Sequence, residues 1–130
     1  VMVKQMKTTL ASLDDSEKFI SEIKRYLKYY KINAEQSMDI VLCLREGINN
    51  AFLHGKNKIL PQVEVCWEIR DNIFAFLITD GGGDVPKIPE NMTDALSEHG
   101  RGLYLMQALL DEMYLEKGAV GGKLAIRADG

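Results

Sequence analysis

Two β-rich runs separated by two turn-forming residues constrain the fold of this chain more than any other feature. The first run, "QVEVCWEIR", alternates polar and apolar residues, and the second, "IFAFLITD", is almost entirely apolar. One side of the first run carries four large apolar side chains: Val63, Val65, Trp67 and Ile69. Asp71 and Asn72 lie between the runs, and both residue types tolerate the left-handed backbone of a tight two-residue turn. The pattern predicts a β-hairpin.

The rest of the chain alternates between strand and helix patterns. A strand is predicted over "VKQMKTTLA", and a second hairpin over "MYLEKGAVGGKLAIRA". Three helices are predicted: one over "DDSEKFISEIKRYLKYY", one from about Ala34 to His54, and one after Gly102. The segment "GGGDVPKIPENMTDALSE" is predicted to be a long irregular loop. No repeat or linker divides the sequence, so we predict a single domain over residues 1–130. This order predicts an α+β fold, a two-layer sandwich whose mixed, mostly antiparallel sheet is covered by helices on one face.

The composition excludes several classes of function. The net charge of −3 gives no basic footprint, so nucleic acid is not expected as the main partner, although one basic face can hide in this balance. No apolar run approaches the length of a membrane span, and the N-terminal stretch does not form a signal-peptide core, so we expect no membrane association and a cytoplasmic location. Cys43 and Cys66 lie far apart in apolar patterns, which predicts buried free thiols.

The second predicted helix carries a carboxylate and an amide one turn apart. In "CLREGINNAFLHG", Glu46 and Asn50 fall on the same helical face. Such a pair often does no more than face water, but asparagine in an apolar helix costs about half a kilocalorie per mole relative to alanine. A Mg²⁺ ion held mainly by phosphates and water needs only one or two protein oxygens, and Asn50 would serve. Glu46 could then take a proton from an attacking hydroxyl.

A second candidate site follows the first hairpin. Asp80 ends the apolar strand in "FLITDGGGDVP", and three glycines come after it. One interpretation is a plain turn. The other is that Asp80 accepts a hydrogen bond from an exocyclic amine such as that of adenine, with Gly82 leaving room beside the ring.

A glycine-rich loop directly precedes the third predicted helix. The stretch "EHGRGLYLMQALLDEM" places Gly100, Arg101 and Gly102 ahead of a strongly apolar helical pattern. Backbone N–H groups at a helix N-terminus favour an anion, most often a phosphate, although a simple turn accounts equally well for the glycines alone. Two familiar phosphate motifs do not fit: "GAVGGKL" has leucine where a P-loop needs serine or threonine, and a dinucleotide fingerprint needs glycine at Leu105.

The order E-x-x-x-N, D-x-G and G-x-G resembles that of the histidine-kinase-like ATPase superfamily, and within it the anti-sigma-factor serine kinases of bacteria. "REGINNAFLHG" resembles the Asn motif, "TDGGGD" the first glycine motif and "HGRGLYLM" the second, so the resemblance spans nearly the whole chain. It implies ATP and Mg²⁺ as ligands, a mixed sheet covered by helices on one face, and an ATP lid between the glycine motifs.

The resemblance also implies a role for each motif residue. Glu46 would be the general base and Asn50 the magnesium ligand. Asp80 would hold the adenine amine and Gly82 would line the base. The backbone of the second glycine motif would hold the phosphates through Gly100, Arg101, Gly102 and Leu103.

Two positions depart from the pattern of the superfamily. Asp84 stands where many relatives have a second glycine in the first motif, and it adds negative charge near the phosphate end of the site. Lys123 in "GGKLAIRA" stands where relatives often have Gly-Thr, so it would replace a hydroxyl beside the adenine-side aspartate. His54 and His99 border the motifs without a phosphoacceptor helix, so histidine autophosphorylation is not expected.

Two functional hypotheses result. In the first, the chain is an ATP-dependent serine/threonine protein kinase that phosphorylates a partner of the anti-sigma-antagonist type and sequesters a sigma factor. In the second, it is a catalytically degenerate nucleotide-binding module that regulates a partner without phosphoryl transfer. Glu46 favours the kinase, whereas Asp84 and Lys123 favour the degenerate module. The relatives' tendency to dimerise suggests a homodimer.

Overall fold

Strands and helices follow one another in an order that gives one sheet and one helical layer. The computed structural model describes residues 3–54, 62–80 and 101–127. Its elements are β1 (Val3–Leu10), α1 (Leu13–Tyr29), α2 (Ala34–His54), β2 (Val63–Arg70), β3 (Ile73–Thr79), α3 (Arg101–Leu109), β4 (Glu112–Glu116) and β5 (Ala119–Ala125). The strands pair in the order β1-β2-β3-β5-β4, and every pair within the described ranges is antiparallel. The predicted two-layer α+β fold is confirmed.

The first hairpin forms as its sequence predicts. Asp71 and Asn72 have φ angles of 52° and 62°, the left-handed backbone of a two-residue hairpin turn. Arg70 and Ile73 are therefore paired directly across the turn. The Asn72 carbonyl also accepts a hydrogen bond from the backbone N–H of Ile126 at 2.8 Å, which holds the turn against the chain that leaves β5.

The helices of the described ranges all cover the same face of the sheet. The alternating apolar side chains of β2 are all buried, and so are those of β3: Phe74, Phe76 and Ile78. The rings of Trp67 and Phe74 stack with their centroids 5.8 Å apart, which links neighbouring strands within the core. The side chains between them, such as Glu64 and Glu68, lie on the open face.

Helix α1 begins where Ser12 caps it. The Ser12 hydroxyl accepts a hydrogen bond from the backbone N–H of Asp15 at 3.2 Å, and the Asp15 carboxylate accepts one from the N–H of Ala11 at 2.9 Å. These bonds satisfy donors that a helix start leaves unpaired. The helix buries a stripe of residues at helical spacing: Ser16, Phe19, Ile20, Ile23 and Leu27.

The N-terminal end of α2 is fastened to the end of β5. Asn33 caps the helix by accepting a hydrogen bond from the backbone N–H of Gln36 at 2.8 Å. The buried Gln36 side chain donates to the carbonyl of Ala125 at 2.7 Å and accepts from the backbone N–H of Arg127. These long-range bonds fix the position of α2 on the sheet.

The two cysteines differ in their surroundings. Cys43 is fully buried in the core, as predicted. Cys66 is only half-buried, and the prediction of burial was wrong for it because the side-chain period of two places it on the open face of β2. None of the helices in the described ranges has the length and apolar character needed to cross a bilayer.

Candidate functional site

Helix α2 presents the two polar residues of the Asn motif side by side. Glu46 and Asn50 are four residues apart, so they lie one turn apart on the same face, and both are half-buried. Residues on either side of them belong to the core, including Leu44, Ile48 and Ala51. The carboxylate and the amide therefore lie at the border between the core and solvent, where a polar group can meet a ligand.

Gly47 marks the point where both layers meet. A Cβ atom at this position would stand 2.5 Å from Cδ1 of Ile78 on β3, and 3.6 Å from Cε of Met106 on α3 and from Cγ1 of Val120 on β5. Glycine thus allows α2 to approach the sheet and α3 closely. The helical turn from Glu46 to Asn50 is held at this junction.

The first turn of α3 lies directly against Glu46. A Cβ atom at Gly102 would collide with Oε2 of Glu46, and it would stand 3.1 Å from the Cβ and 3.2 Å from the Cδ of the same side chain. The absence of a side chain at Gly102 therefore lets the N-terminus of α3 approach the Glu46 carboxylate. Residues 56 positions apart in sequence, from two of the predicted motifs, are neighbours in the fold.

Asp80 follows the last residue of β3 and is 7% exposed. Its backbone N–H donates to the carbonyl of Gly118 at 2.8 Å, which continues the pairing of β3 with β5 for one more residue. The aspartate is thereby held at the end of the strand. Because buried carboxylates accept hydrogen bonds, its burial favours the interpretation as a hydrogen-bond acceptor over that of a solvated turn residue.

A thiol lies one turn before Glu46 on the same helix. Burial, and to a lesser degree the negative charges of Asp39 and Glu46, raises the pKa of the Cys43 thiol to about 12. Because the thiolate is the nucleophilic form, Cys43 stays unreactive at neutral pH. Cys43 is therefore not a candidate nucleophile, and Glu46 and Asn50 remain the candidate site residues of α2.

The histidine kinase-like ATPase domain matches residues 9–128. This chain belongs to that family. The resemblance predicted from the three motifs is confirmed, and the family's fold agrees with the two layers described above.

The relatives of this histidine kinase-like ATPase domain include bacterial protein kinases. The serine-protein kinase RsbW of Staphylococcus epidermidis is 28% identical over 121 residues, which cover 81% of this chain and 76% of that protein. RsbW of Bacillus licheniformis is 30% identical over 89 residues, which cover 60% of this chain and 56% of that protein.

A solved structure shares the fold. The crystal structure of the RsbU and RsbW domains of a Mycobacterium tuberculosis protein is similar to this chain with a TM-score of 0.67 and 18% sequence identity. The similarity covers 96% of this chain but 32% of the other, so the domain spans about a third of that solved chain.

Three of the predicted site residues lie wholly or partly beyond what the structure describes: Gly82, Gly100 and Arg101. Gly82 and Gly100 fall outside the described residues, as does Asp84, the first departure from the family pattern. Arg101 is the first residue of α3, and only its backbone is described. Leu103 is buried in the core at 4% exposure, so its side chain anchors α3. Only its backbone N–H, in the first turn of α3, is then a candidate for binding a phosphate.

The predicted place of Lys123 beside Asp80 was wrong. Lys123 pairs in register with Ala75, whereas the β5 end nearest Asp80 is Ala119, paired with Thr79. The Lys123 side chain lies on the open face, with its ammonium nitrogen 3.9 Å from a Glu112 carboxylate oxygen. The "GG" of residues 121–122 resembled the family motif. Because β5 begins directly after the turn at residues 117–118, however, the residue beside the end of β3 is Ala119, four residues before Lys123.

The described residues contain no group of three histidine, cysteine, aspartate or glutamate side chains placed to hold a metal ion. A Mg²⁺ ion that binds together with a nucleotide takes most of its ligands from phosphates and water and needs only one or two protein oxygens. The Asn50 amide oxygen suits that requirement.

Sequence analysis missed the packing residues that form the junction. Neither Gly47 nor Met106 was predicted to have a functional or packing role. For Gly47 the sequence did contain a signal, since a glycine inside an apolar helix indicates close packing. Val120 gave no signal, because its approach to α2 depends on the register of β5 with β3.

Proposed function

We propose that this domain binds ATP with Mg²⁺ and phosphorylates a serine or threonine of an anti-sigma-antagonist-type protein, and that it also sequesters a sigma factor. The observation that carries the proposal is the contact of Gly102 with the Glu46 carboxylate. It joins a candidate base to the N-terminus of a helix, where the backbone N–H groups and the helix dipole favour a phosphate. The serine-protein kinase activity named for its RsbW relatives supports the same reaction.

Each motif residue has a role in this proposal. Glu46 accepts the proton of the acceptor hydroxyl, and Asn50 binds Mg²⁺. Asp80 accepts a hydrogen bond from the adenine amine, and Gly82 lines the base. Backbone N–H groups of residues 100–103 bind the phosphates, and ATP supplies the phosphoryl group.

The residues present fit such a ligand. Asp80 is a buried carboxylate at a strand end, suited to recognise an amine. Asn50 offers a neutral oxygen for a cation that already carries phosphate ligands. Helix α3 has nine residues, long enough for its N-terminus to attract an anion, and no acidic residue lies in its first turn.

The substrate protein docks over the nucleotide in this proposal. An acceptor hydroxyl must come within about 3 Å of the Glu46 carboxylate for proton transfer, so the partner must cover the mouth formed by α2 and α3.

We further propose that Arg101 pairs with the terminal phosphate. We also propose that residues 1–130 act as one domain in the cytoplasm, and that the chain forms a homodimer.

The alternative of a degenerate regulatory module has lost one of its two supports. Lys123 lies on the open face, so it cannot displace a hydroxyl from the side of Asp80. The other support, Asp84, lies outside the described residues. We therefore favour phosphoryl transfer.

Glu46→Gln tests the proposal, because it keeps the size of the side chain and removes the base. We expect transfer of radiolabelled phosphate from ATP to small proteins of the source cell to fall by roughly 10²–10⁴-fold, with little change in ATP affinity. Glu35→Gln is the matched control: it makes the same change in the exposed first turn of the same helix and leaves transfer intact.

The outcomes separate the two hypotheses. Binding of ATP without transfer by the wild type supports the regulatory module. Absence of ATP binding at millimolar concentration refutes both. An equal loss of affinity and rate in Glu46→Gln would assign a structural role to the carboxylate.

A further inference from the structure

The end of β3 that carries Asp80 is tied to the turn between β4 and β5. Strand β3 pairs with β5 as far as Thr79, which lies opposite Ala119. One residue further on, the backbone N–H of Asp80 donates to the carbonyl of Gly118 at 2.8 Å. Gly118 is the second residue of the two-residue turn from which β5 begins. The conformation of this turn therefore helps to set the position of the Asp80 backbone.

The turn has a left-handed backbone at Gly118. Its φ angle is 71°, a region that glycine adopts freely and that a residue with a Cβ atom adopts at a cost in free energy. Gly118 is buried, whereas Lys117, the first residue of the turn, is exposed. A change of φ at residue 118 moves the carbonyl that follows it, and this carbonyl is the acceptor for the Asp80 N–H.

The side chain of Asp80 has little freedom to compensate for such a shift. The residue is 7% exposed, so its packed surroundings leave the carboxylate few other positions. A hydrogen bond weakens steeply when its distance or angle is distorted. A displaced Asp80 backbone would therefore weaken a bond from the carboxylate to a ligand, while the contacts proposed for the phosphates stay in place.

We propose that Gly118 is a positioning residue for adenine recognition: its left-handed backbone holds the Asp80 carboxylate where it accepts the hydrogen bond of the adenine amine. This role rests on the proposed function, which assigns Asp80 to the adenine. It adds a residue outside the three motifs, from the turn between β4 and β5, to those that select the nucleotide. Gly118 thus controls the choice between purines and not the affinity for phosphate.

ATP and inosine triphosphate together test this role. Inosine carries an oxo group in place of the exocyclic amine of adenine, and an oxo group cannot donate a hydrogen bond to a carboxylate. The dissociation constants of both nucleotides are measured with Mg²⁺ on the full chain by isothermal titration calorimetry. We expect the wild type to bind ATP about tenfold or more tightly than inosine triphosphate. Gly118→Ala should weaken ATP binding by about tenfold and change the affinity for inosine triphosphate by less than about twofold.

Asn72→Ala is the matched control for a general loss of stability. Asn72 also has a left-handed backbone in a two-residue turn, with a φ angle of 62°. Its turn lies at the other end of β3, roughly 25 Å from Asp80 at about 3.4 Å per residue. Both substitutions strain a turn, so both should lower the melting temperature. The preference for ATP should fall in Gly118→Ala and stay within about twofold of the wild type in Asn72→Ala.

Gly118→Asn separates the backbone conformation from the volume of the side chain. Asparagine is larger than alanine but adopts the left-handed region more readily, so the preference for ATP should fall by about threefold, less than in Gly118→Ala. A loss as large as that of Gly118→Ala would assign the effect to volume and overturn the role of the backbone. If Gly118→Ala does not fold, an unchanged preference in Gly118→Asn overturns the proposal.

The outcomes also separate this role from the proposed function. An ATP preference that survives in Gly118→Ala, or that falls equally in Asn72→Ala, overturns the role of Gly118 and leaves the nucleotide site standing. A wild type that binds both nucleotides equally, or neither of them, refutes the adenine role of Asp80 and the role of Gly118 with it.

Discussion

At the scale of single residues, the site depends on the absence of a side chain at Gly102. The carboxylate of Glu46 occupies the space that a methyl group at this position would need. The Glu46 carboxylate can rotate away from such a methyl group, whereas the contact with the Glu46 Cβ at 3.1 Å requires a shift of a few tenths of an ångström between the helices. The larger cost therefore falls on the position of the carboxylate.

Gly102→Ala therefore separates catalysis from stability. Alanine favours a helix over glycine by about 1 kcal/mol, so we expect little or no loss of stability in thermal unfolding. Because a displacement of about 1 Å in a catalytic group can cost a hundredfold in rate, we expect phosphoryl transfer to fall by about that factor.

The control is the same change in a Glu46→Ala background. There, Gly102→Ala should cause no additional loss of transfer, since the carboxylate is already absent. An additional loss of similar size in that background would show that Gly102 acts through its own backbone and not through Glu46.

Because of Cys43, the stability of the domain should change with pH in the alkaline range. Its thiol has a pKa of about 12 in the folded chain against the ordinary 9.0, which also describes the unfolded chain. Between these values the unfolded thiol loses its proton while the folded one keeps it, so the free energy of unfolding falls as pH rises, by up to about 1.4 kcal/mol per pH unit. The stability advantage of wild type over Cys43→Ala should therefore shrink between about pH 9 and pH 12.

Urea denaturation of both proteins across this pH range measures the difference, and the titration of lysines and tyrosines common to both cancels. A stability difference that stays constant with pH would contradict the raised pKa. Below about pH 8 the wild type should be the more stable protein, since the alanine leaves a cavity.

At the scale of elements, the packing of α2 on the sheet positions the site. Gln36 fastens the beginning of the helix to the end of β5, and Gly47 lets its middle approach β3, β5 and α3. Between these points the helix buries Ile40, Cys43 and Leu44. The neighbouring face of the helix, which carries Glu46 and Asn50, is oriented by these contacts.

Gly47→Ala should weaken this packing. The added Cβ would stand 2.5 Å from Cδ1 of Ile78, whose side chain is buried and cannot turn into solvent. We expect a loss of about 1–3 kcal/mol in the free energy of unfolding, measured in urea, although alanine alone favours a helix. Ile78→Val removes the colliding methyl group and should recover part of the loss in the double variant. Additive losses from the two changes would exclude this clash as the cause.

At the scale of the whole molecule, the helical layer brings described residues of the Asn motif and of the second glycine motif together. Helix α1 lies against one side of α2 and α3 against the other, while β3 brings Asp80 to the end of the sheet. A nucleotide that touches α2, β3 and α3 would add contacts between these elements, so it should stabilise the folded chain as a unit.

We therefore expect magnesium nucleotide to raise the free energy of unfolding by about 2.7 kcal/mol at roughly 100 times its dissociation constant. Asn50→Ala should remove most of the magnesium-dependent part of this stabilisation. Lys123→Thr should leave it unchanged, because Lys123 lies on the open face. Thermal melting with ATP or ADP, each with and without Mg²⁺, measures these effects. Equal melting temperatures with and without nucleotide would contradict the site.

Local chemistry in the sequence was enough to predict most of the elements. The alternation of β2, the left-handed turn at Asp71 and Asn72, and the helical spacing of α1 depend on neighbours in the chain, so they could be read from it. The motifs were likewise enough to predict the family, because their residue types, spacing and order along the chain can all be read directly from the sequence.

Contacts between distant residues were decided only by the tertiary structure. The register of β5 moved Lys123 away from Asp80, and the period of β2 left Cys66 on the open face. The approach of Gly102 to Glu46 depends on how deeply α2 and α3 settle on the sheet, which Gly47 permits. By itself, the sequence determined the family, most of the elements and which residues are candidates for the chemistry. Which of them touch was determined by close packing, since it depends on the shapes of side chains from four separate elements at once.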